Sequence, residues 1–518
     1  MKYRVTLTAD RTLFSEYRNI PLLQFLGCAP AERLPKFVFD FLAPYSVIEN
    51  DTPLKAPYDL RLVESVLVNS IGRENVSVSV PKNISNYIDS ETSVVGISTM
   101  DPLGLGPVTM MFTNAGRQTG YTKFYFYELL RELNKIRKSG KNFKIVVGGP
   151  GAWQIEARPS SMDELGIDHL VVGETEHVLP QIIDDVVQGS AERIIKVKGY
   201  PEISQIPNIQ GATMHGLLEM NRGCGRNCEY CAPNLRSARN LPIDHIMKNI
   251  DVNVKHGVTS VWAQSEDIFL YKLEDHRWMN PNWDALIELF SAIVNHEGVT
   301  HTNPTHGTVS APASNPEAFA KLSKVMRSGP NNIIGLQPGL ETGSVRLAKS
   351  FMPRKALPLS IEEWPEVVFE GTKVLNENYW VPAYTAIMGL PGETKDDVLD
   401  TLRLIDRMEK ELPEKIGEKA HWTVTVLSFV PLAALSSDEF FDVESQLTEE
   451  RYYLLYRTWR HTILEVESLL PVLIKNPVTK TFTYRFLKFG AKRLVDALAA
   501  WGRNKGYDPE RAMTIVTA

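Results

Sequence analysis

Three of the chain's four cysteines fall in one stretch, Gly223-Cys224-Gly225-Arg226-Asn227-Cys228-Glu229-Tyr230-Cys231-Ala232-Pro233, and no other feature restricts fold and chemistry as much. Thiols bunched on a glycine-bearing loop suit a soft metal centre, because such a loop can wrap until every sulfur points inward. A 4Fe–4S cluster held by only three protein thiolates keeps one iron free to take a small-molecule ligand. A structural zinc site is the alternative, and it asks for a fourth Cys or a His at short spacing. The first histidine after Cys231 is His245. Disulfide pairing leaves an odd cysteine over.

The remaining composition narrows the setting. A chain of 518 residues has room for two or three domains, and 43% hydrophobic with 23% charged residues is ordinary for a globular protein. A net charge of −6 argues against a nucleic-acid binder. Few cysteines, clustered in this way, fit a reducing compartment. Met1 to Asp10 alternates like a strand and has no signal-peptide core, and no run approaches a membrane span. The expectation is a cytoplasmic protein, with peripheral membrane association left open.

Residues 1 to about 60 are punctuated by proline, and Cys28 there reads as a small buried residue or as a remote metal ligand. From residue 60 onward helices alternate with Val- and Ile-rich strands. A helix around Leu60 to Leu67 precedes strands at Val76 to Val80 and Val94 to Ser98, and a helix from Phe124 to Lys138 leads to Lys144 to Gly151 and then Asp168 to Val172. This pattern predicts an open, doubly wound parallel sheet, whose ligands sit at the carboxyl ends of the strands. Gly104, Gly148, Gly149 and Gly173 follow those strands and are the candidate lining of one crevice. A Pro-bearing linker, Gly199 to Pro207, separates this part from a second helix and strand alternation with strands at Leu217 to Met220, Ser260 to Ala263, Val299 to Thr302, Ile333 to Leu336, Tyr384 to Met388 and Thr423 to Phe429.

The CxxxCxxC spacing with an aromatic before the last cysteine resembles the signature of the radical S-adenosylmethionine (radical SAM) superfamily. That resemblance implies a 4Fe–4S cluster on Cys224, Cys228 and Cys231, S-adenosylmethionine chelated by the open iron, and its cleavage to a 5′-deoxyadenosyl radical. It also implies a partial (β/α)6 barrel of TIM-like architecture over residues 201–435. Within that barrel Glu266 and Asp267 would approach the ligand's ammonium, Glu341 and Ser344 its ribose and amino acid parts, and the Ile387, Met388 and Gly389 backbone its adenine. Within an N-terminal region of residues 1–200, roughly residues 60–195 resemble the Rossmann-like, cobalamin-binding-type domain found ahead of the cluster motif in one class of these enzymes. The DxHxxG motif is absent; Asp168-His169-Leu170 lies in a predicted strand. Cobalamin is therefore a candidate cofactor alongside the cluster and S-adenosylmethionine.

His301 and His306, at a strand end, are the candidate proton donors or acceptors on the substrate side; satisfaction by local backbone is the alternative for each. Residues 436–518 form a predicted helical domain, one helix running from Leu447 toward Leu470 and a second with Phe482, Phe486, Phe489, Leu494, Leu498 and Trp501 opposite Lys480, Arg485, Lys488, Lys492, Arg493 and Arg503. Such a helix suits either an anionic membrane surface or packing on the barrel with a solvated basic face. Two functions follow from the resemblance. One is carbon–carbon bond formation on a membrane lipid, as in tetraether lipid ring synthases. The other is cobalamin-dependent methylation of a peptide, protein or metabolite. Both imply a large hydrophobic or macromolecular substrate and a reducing partner such as ferredoxin or flavodoxin.

Overall fold

The alternating N-terminus forms a strand, β1 (Arg4–Ala9), because its inward residues Val5, Leu7 and Ala9 are all buried. In this computed structural model, which describes residues 4–19, 21–49, 52–437, 439–473 and 477–516, β1 belongs to a six-stranded sheet. Its other strands are β2 (Val76–Val78), β3 (Thr92–Ser98), β4 (Lys144–Gly148), β5 (His169–Val172) and β6 (Ile194–Lys196), in the order β2-β1-β3-β4-β5-β6 with every pair parallel. Helices α1 (Tyr58–Ile71), α2 (Tyr121–Lys138) and α3 (Leu179–Gln188) flank it in sequence. The strand order reverses between β1 and β3, which makes their carboxyl ends the switch point of an open α/β sheet. The Rossmann-like sheet thus begins at residue 4, not near residue 60, and its second position is filled by the stretch that composition leaves hardest to read.

The chain divides into two compact units. The first comprises Met1–Glu219, Leu241–Trp262 and His296–His301, the second Met220–Asn240, Ala263–Asn295 and Thr302–Ala518. Strands continue through Leu217–Glu219 (β7), Asn221–Arg222 (β8), Arg239–Asn240 (β9), Ser260–Gln264 (β10) and His301–Pro304 (β11). In the second unit Ile334–Leu336 (β12) and Gly339–Glu341 (β13) pair in succession with the same neighbour, β14 (Trp380–Met388). They occupy one strand position, broken at Gln337-Pro338, where proline has no N–H to give the ladder. On its other edge β14 pairs in parallel with β15 (Thr423–Ser428) over six residues.

Helix α4 (Val345–Phe351) follows β13, and α5 (Trp364–Glu377) precedes β14. Helix α6 (Lys395–Ile416) starts with a capping box in which Thr394 and Asp397 satisfy each other's backbone N–H. The C-terminal helices are α7 (Glu449–Leu473) and α8 (Pro477–Asn504). The first half of α7 is buried, with Tyr452, Tyr453, Leu454 and Leu455 all below 5% exposed. Arg457 of α7 reaches Asp406 and Glu409 of α6 at 2.6 Å, and the His461 ring stacks on Trp422 at 3.8 Å. The aromatic face of α7 is therefore packing. The side chains of Lys480, Phe482, Arg485, Phe486, Lys488 and Phe489 lie outside the described residues. Among the described residues no helix is long and apolar enough to cross a membrane.

Candidate active site

The cysteine loop is an excursion between β8 and β9, which pair antiparallel through Asn221 with Asn240 and Arg222 with Arg239. Its conformation needs glycine at Gly223, where φ is +75° and a Cβ would sit 2.7 Å from the carbonyl oxygens of Arg236 and Ser237. Cys228 is buried, while Cys224 and Cys231 are partly so. Burial pushes the Cys224 thiol up to about 11 and the Cys231 thiol up to about 12, and raises that of Cys228. Tyr230, half-buried and next to Cys231 in the chain, donates its hydroxyl to the Met352 sulfur at 3.5 Å.

A lysine that the sequence does not announce completes the site. Lys355 stands 3.6 Å from the Glu341 carboxylate, and the Glu341 and cysteine charges outweigh burial to hold its ammonium above the ordinary lysine value. Burial raises the Glu341 pKa, with Lys355 opposing. Glu341 has φ +62°, and Thr385 donates to it at 3.4 Å. Gly339 makes room for it: a Cβ there would fall 1.9 Å from the carboxylate and 2.8 Å from the Lys355 nitrogen. Cys224, Cys228 and Cys231 all interact electrostatically with Lys355. This gathers three thiols, one ammonium and one carboxylate.

The other predicted site residues are distributed as follows. Asp267 is 1% exposed and pairs with Arg226 at 2.9 Å; Glu266 pairs with Arg236 at 3.3 Å. Ser344 caps α4, accepting from Leu347 N–H and donating to Asp397 at 2.6 Å. Met388 ends β14 with its carbonyl accepting from Phe429 N–H at 2.9 Å, and Ile387 pairs with Leu427 across the ladder to β15. Gly389 gives its N–H to Glu393 at 3.2 Å, and Arg451 donates to the same carboxylate at 2.8 Å. The Phe441 ring lies where a Cβ on Gly389 would be, 2.1 Å away. His306 follows β11; burial lowers its pKa, and its ring nitrogen Nδ1 is 3.0 Å from the Thr305 hydroxyl. His301 opens β11 and belongs to the first unit.

In the first unit Gly149 and Gly151 serve chain packing. A Cβ on Gly149 would fall 2.7 Å from Thr99 N, and one on Gly151 2.5 Å from the Met100 carbonyl. Gly104, Gly148 and Gly173 meet a would-be Cβ only at 3.0 Å or beyond. The switch point itself holds two buried acids. Asp101, after β3, accepts from Gly106 N–H, Gln154, Thr109 and Thr122. Asp10, after β1, accepts from Thr12 through backbone and hydroxyl, and burial pushes its pKa up to about 6. Cys28 lies beside Thr109 and Asp101, its thiol pushed up to about 12 by burial. His169 opens β5 and bonds the Glu192 carbonyl at 2.8 Å.

These residues fit the cluster implied for them. The donors are soft, three in number and on a single loop. A cation beside them favours the thiolate form that ligation requires, with release of protons. Among the described residues no group of three or more His, Cys, Asp or Glu side chains is arranged to hold a metal ion, so the cluster assignment stands on spacing, burial and charge.

Residues 218–405 match the family described as Radical SAM superfamily, and this segment of the chain is a radical SAM domain. The cofactors of that domain are a 4Fe–4S cluster and S-adenosylmethionine. Among solved structures, the fold is similar to that of TsrM from Kitasatospora setae, a radical S-adenosylmethionine methyltransferase with cobalamin and a 4Fe–4S cluster bound. That likeness has a TM-score of 0.51 at 12% identity and covers 84% of this chain and 74% of that one. It is also similar to OxsB, a cobalamin-dependent S-adenosylmethionine radical enzyme, with a TM-score of 0.52 at 13% identity, covering 96% of this chain and 72% of that one. By sequence, the tRNA-2-methylthio-N(6)-dimethylallyladenosine synthase of Alteromonas mediterranea is 26% identical over 47% of this chain and 49% of its own length. That of Mannheimia succiniciproducens is 23% identical over 63% and 66%. The chain thus spans about half to two thirds of the length of these relatives.

Proposed function

We propose that this protein is a cobalamin-using radical SAM methyltransferase acting on an unactivated carbon. The observation that carries the reading is the Lys355–Glu341 pair beside the three cysteines of one loop. These cysteines would hold a cluster, whose chemistry when bound would be to supply the electron that cleaves S-adenosylmethionine. The protein's own contribution is to bind and orient that molecule. Its amino acid end is a zwitterion, and the Lys355 ammonium and Glu341 carboxylate offer one complementary charge to each of its groups. With the zwitterion bound between them, each protein charge keeps a partner, so neither is left buried and uncompensated. Met352, buried, accepts from the half-buried Tyr230 hydroxyl beside the cysteine loop.

Support for cobalamin comes from the fold, which both cobalamin-dependent neighbours share over most of this chain, and from the switch point at β1 and β3, where such sheets place their ligands. Thr12, two residues beyond Asp10, spends its hydroxyl on Asp10, and His169 is engaged at the start of its strand. Thr12 has no imidazole to offer a cobalt, and that of His169 is held by the Glu192 carbonyl. The lipid reading draws on the aromatic and basic face of α8, where the side chains of Phe482, Phe486 and Phe489 lie outside the described residues, Leu494 is exposed, and Leu498 and Trp501 are half-buried. The test is reconstitution under anaerobic conditions with iron, sulfide and hydroxocobalamin, followed by desalting. Retained cobalamin near one per chain, and transfer of a labelled methyl group from S-adenosylmethionine to a substrate, would support the reading. A full cluster with no retained cobalamin would refute it in favour of a reaction that uses the radical alone.

A further inference from the structure

Arg226 lies between the first two cysteines of the loop, yet it is 1% exposed and its guanidinium is spent on other parts of the second unit. Nε donates to Asp267 at 2.9 Å, just past β10. Nη2 donates to the Thr308 hydroxyl at 3.0 Å, beyond β11. Nη1 points at three carbonyl oxygens of one turn, those of Arg354 and Lys355 at 3.1 Å and of Leu357 at 3.0 Å. Three carbonyls converging on one nitrogen make a cation-binding arrangement in the backbone itself, and the middle one belongs to Lys355.

From this geometry we infer that Arg226 is a positioning residue, which fixes the Lys355 ammonium relative to the cysteine loop and thereby sets the affinity for S-adenosylmethionine. The inference deepens the reading given under Proposed function and rests on it. The Lys355 carbonyl is held from two directions, by Arg226 and by the Ser310 hydroxyl at 3.3 Å. Ser310 in turn donates to Thr308 at 3.1 Å. Asp267 keeps the guanidinium in place, since its second oxygen accepts from the Thr308 and Phe269 N–H groups at 3.2 Å. One side chain of the cluster loop thus ties that loop to two strand ends and to the turn bearing the lysine. A planar fork with five N–H groups can do this; a lysine, with a single nitrogen, cannot span Asp267, Thr308 and three carbonyls together.

The test is a double-mutant cycle between Arg226→Lys and Lys355→Met in anaerobically reconstituted full-length protein. The readouts are iron content, the electron paramagnetic resonance spectrum of the reduced cluster with and without S-adenosylmethionine, and the dissociation constant of S-adenosylmethionine by equilibrium binding. Arg226→Lys keeps the cysteines and is expected to keep the cluster, while the dissociation constant rises roughly tenfold, the loss of one charge-assisted bond. The double variant is expected to bind no more weakly than Lys355→Met alone, because Arg226 acts through Lys355. Additive losses, or unchanged binding in Arg226→Lys, would overturn the inference. If Arg226→Lys fails to load iron, Thr308→Val removes only one of the guanidinium's bonds and enters the same cycle. A smaller, again non-additive, loss supports the inference and an additive one overturns it. Absence of iron or of S-adenosylmethionine binding in the unsubstituted protein fails the underlying reading, whereas additivity with both present fails the inference alone.

Discussion

Replacing Lys355 with Met keeps the length and apolar stem of the side chain and removes its charge. The ammonium faces Glu341 at 3.6 Å in a buried setting, and under the proposed mode it also meets the carboxylate of S-adenosylmethionine. A hydrogen bond to a charged group contributes about 1.5–3 kcal/mol net, so the dissociation constant should rise roughly 10- to 150-fold. Loss of the ammonium also leaves Glu341 without its cation, which raises its already elevated pKa further. The assay is calorimetric or equilibrium-dialysis binding to anaerobically reconstituted protein, with iron content measured on the same sample. Lys355→Arg should recover part of the affinity. Wild-type affinity in Lys355→Met with a full cluster would refute the reasoning, because the Lys355 ammonium is the cation that faces both Glu341 and the cysteine loop.

Two other outcomes follow from positions away from the cluster. Asp10 has its pKa raised by burial from 3.8 to about 6, so the unfolded chain releases its proton before the folded one does. Stability is then lost as pH rises between these values, by about 3 kcal/mol at most. Asp10→Asn, which keeps an oxygen to accept from Thr12, should raise the thermal midpoint at pH 7.5 and leave it unchanged near pH 3.5; equal midpoints at both would contradict the assignment. Gly389→Ala must place a Cβ 2.1 Å from the Phe441 ring at φ +88°, whereas Gly392→Ala at φ +70° meets nothing within 4 Å. Backbone strain of about 1–2 kcal/mol is common to both, and overpacking adds about 1–3 kcal/mol to the first alone. Chemical denaturation should find Gly389→Ala the less stable of the two.

What the sequence makes legible here is local. The cysteine spacing, the apolar strands and the Ile387-to-Thr394 segment are contiguous, and strands expected at Ser260 to Ala263, Ile333 to Leu336 and Thr423 to Phe429 appear within a residue or so. The strand expected at Val299 to Thr302 is displaced to His301–Pro304. Long-range features are not legible. Parallel pairing joins β1 to β3 across more than eighty residues, and nothing in the alternation of Arg4 to Ala9 says which strands receive it. Lys355 follows a Met-Pro-Arg segment with no periodic pattern, and only folding brings it beside cysteines from far upstream. The motif's own Arg226 reads as a solvated charge until its partners Asp267, Thr308 and the carbonyls near Leu357 are assembled around it. Asp267 and Ser344 stand out in the sequence for acidity and hydroxyl position. Sequence alone does not reveal that one is paired with Arg226 and that the other caps α4.

The account rests most directly on the cluster at Cys224, Cys228 and Cys231. Iron and acid-labile sulfide should be measured in anaerobically reconstituted protein, with electron paramagnetic resonance of the dithionite-reduced sample before and after S-adenosylmethionine is added. About four irons per chain are predicted, with a reduced-cluster signal that changes shape on addition of S-adenosylmethionine, both lost in each single Cys→Ala variant at these positions. An unchanged iron content and signal in any of those variants, or a signal indifferent to S-adenosylmethionine, would contradict it.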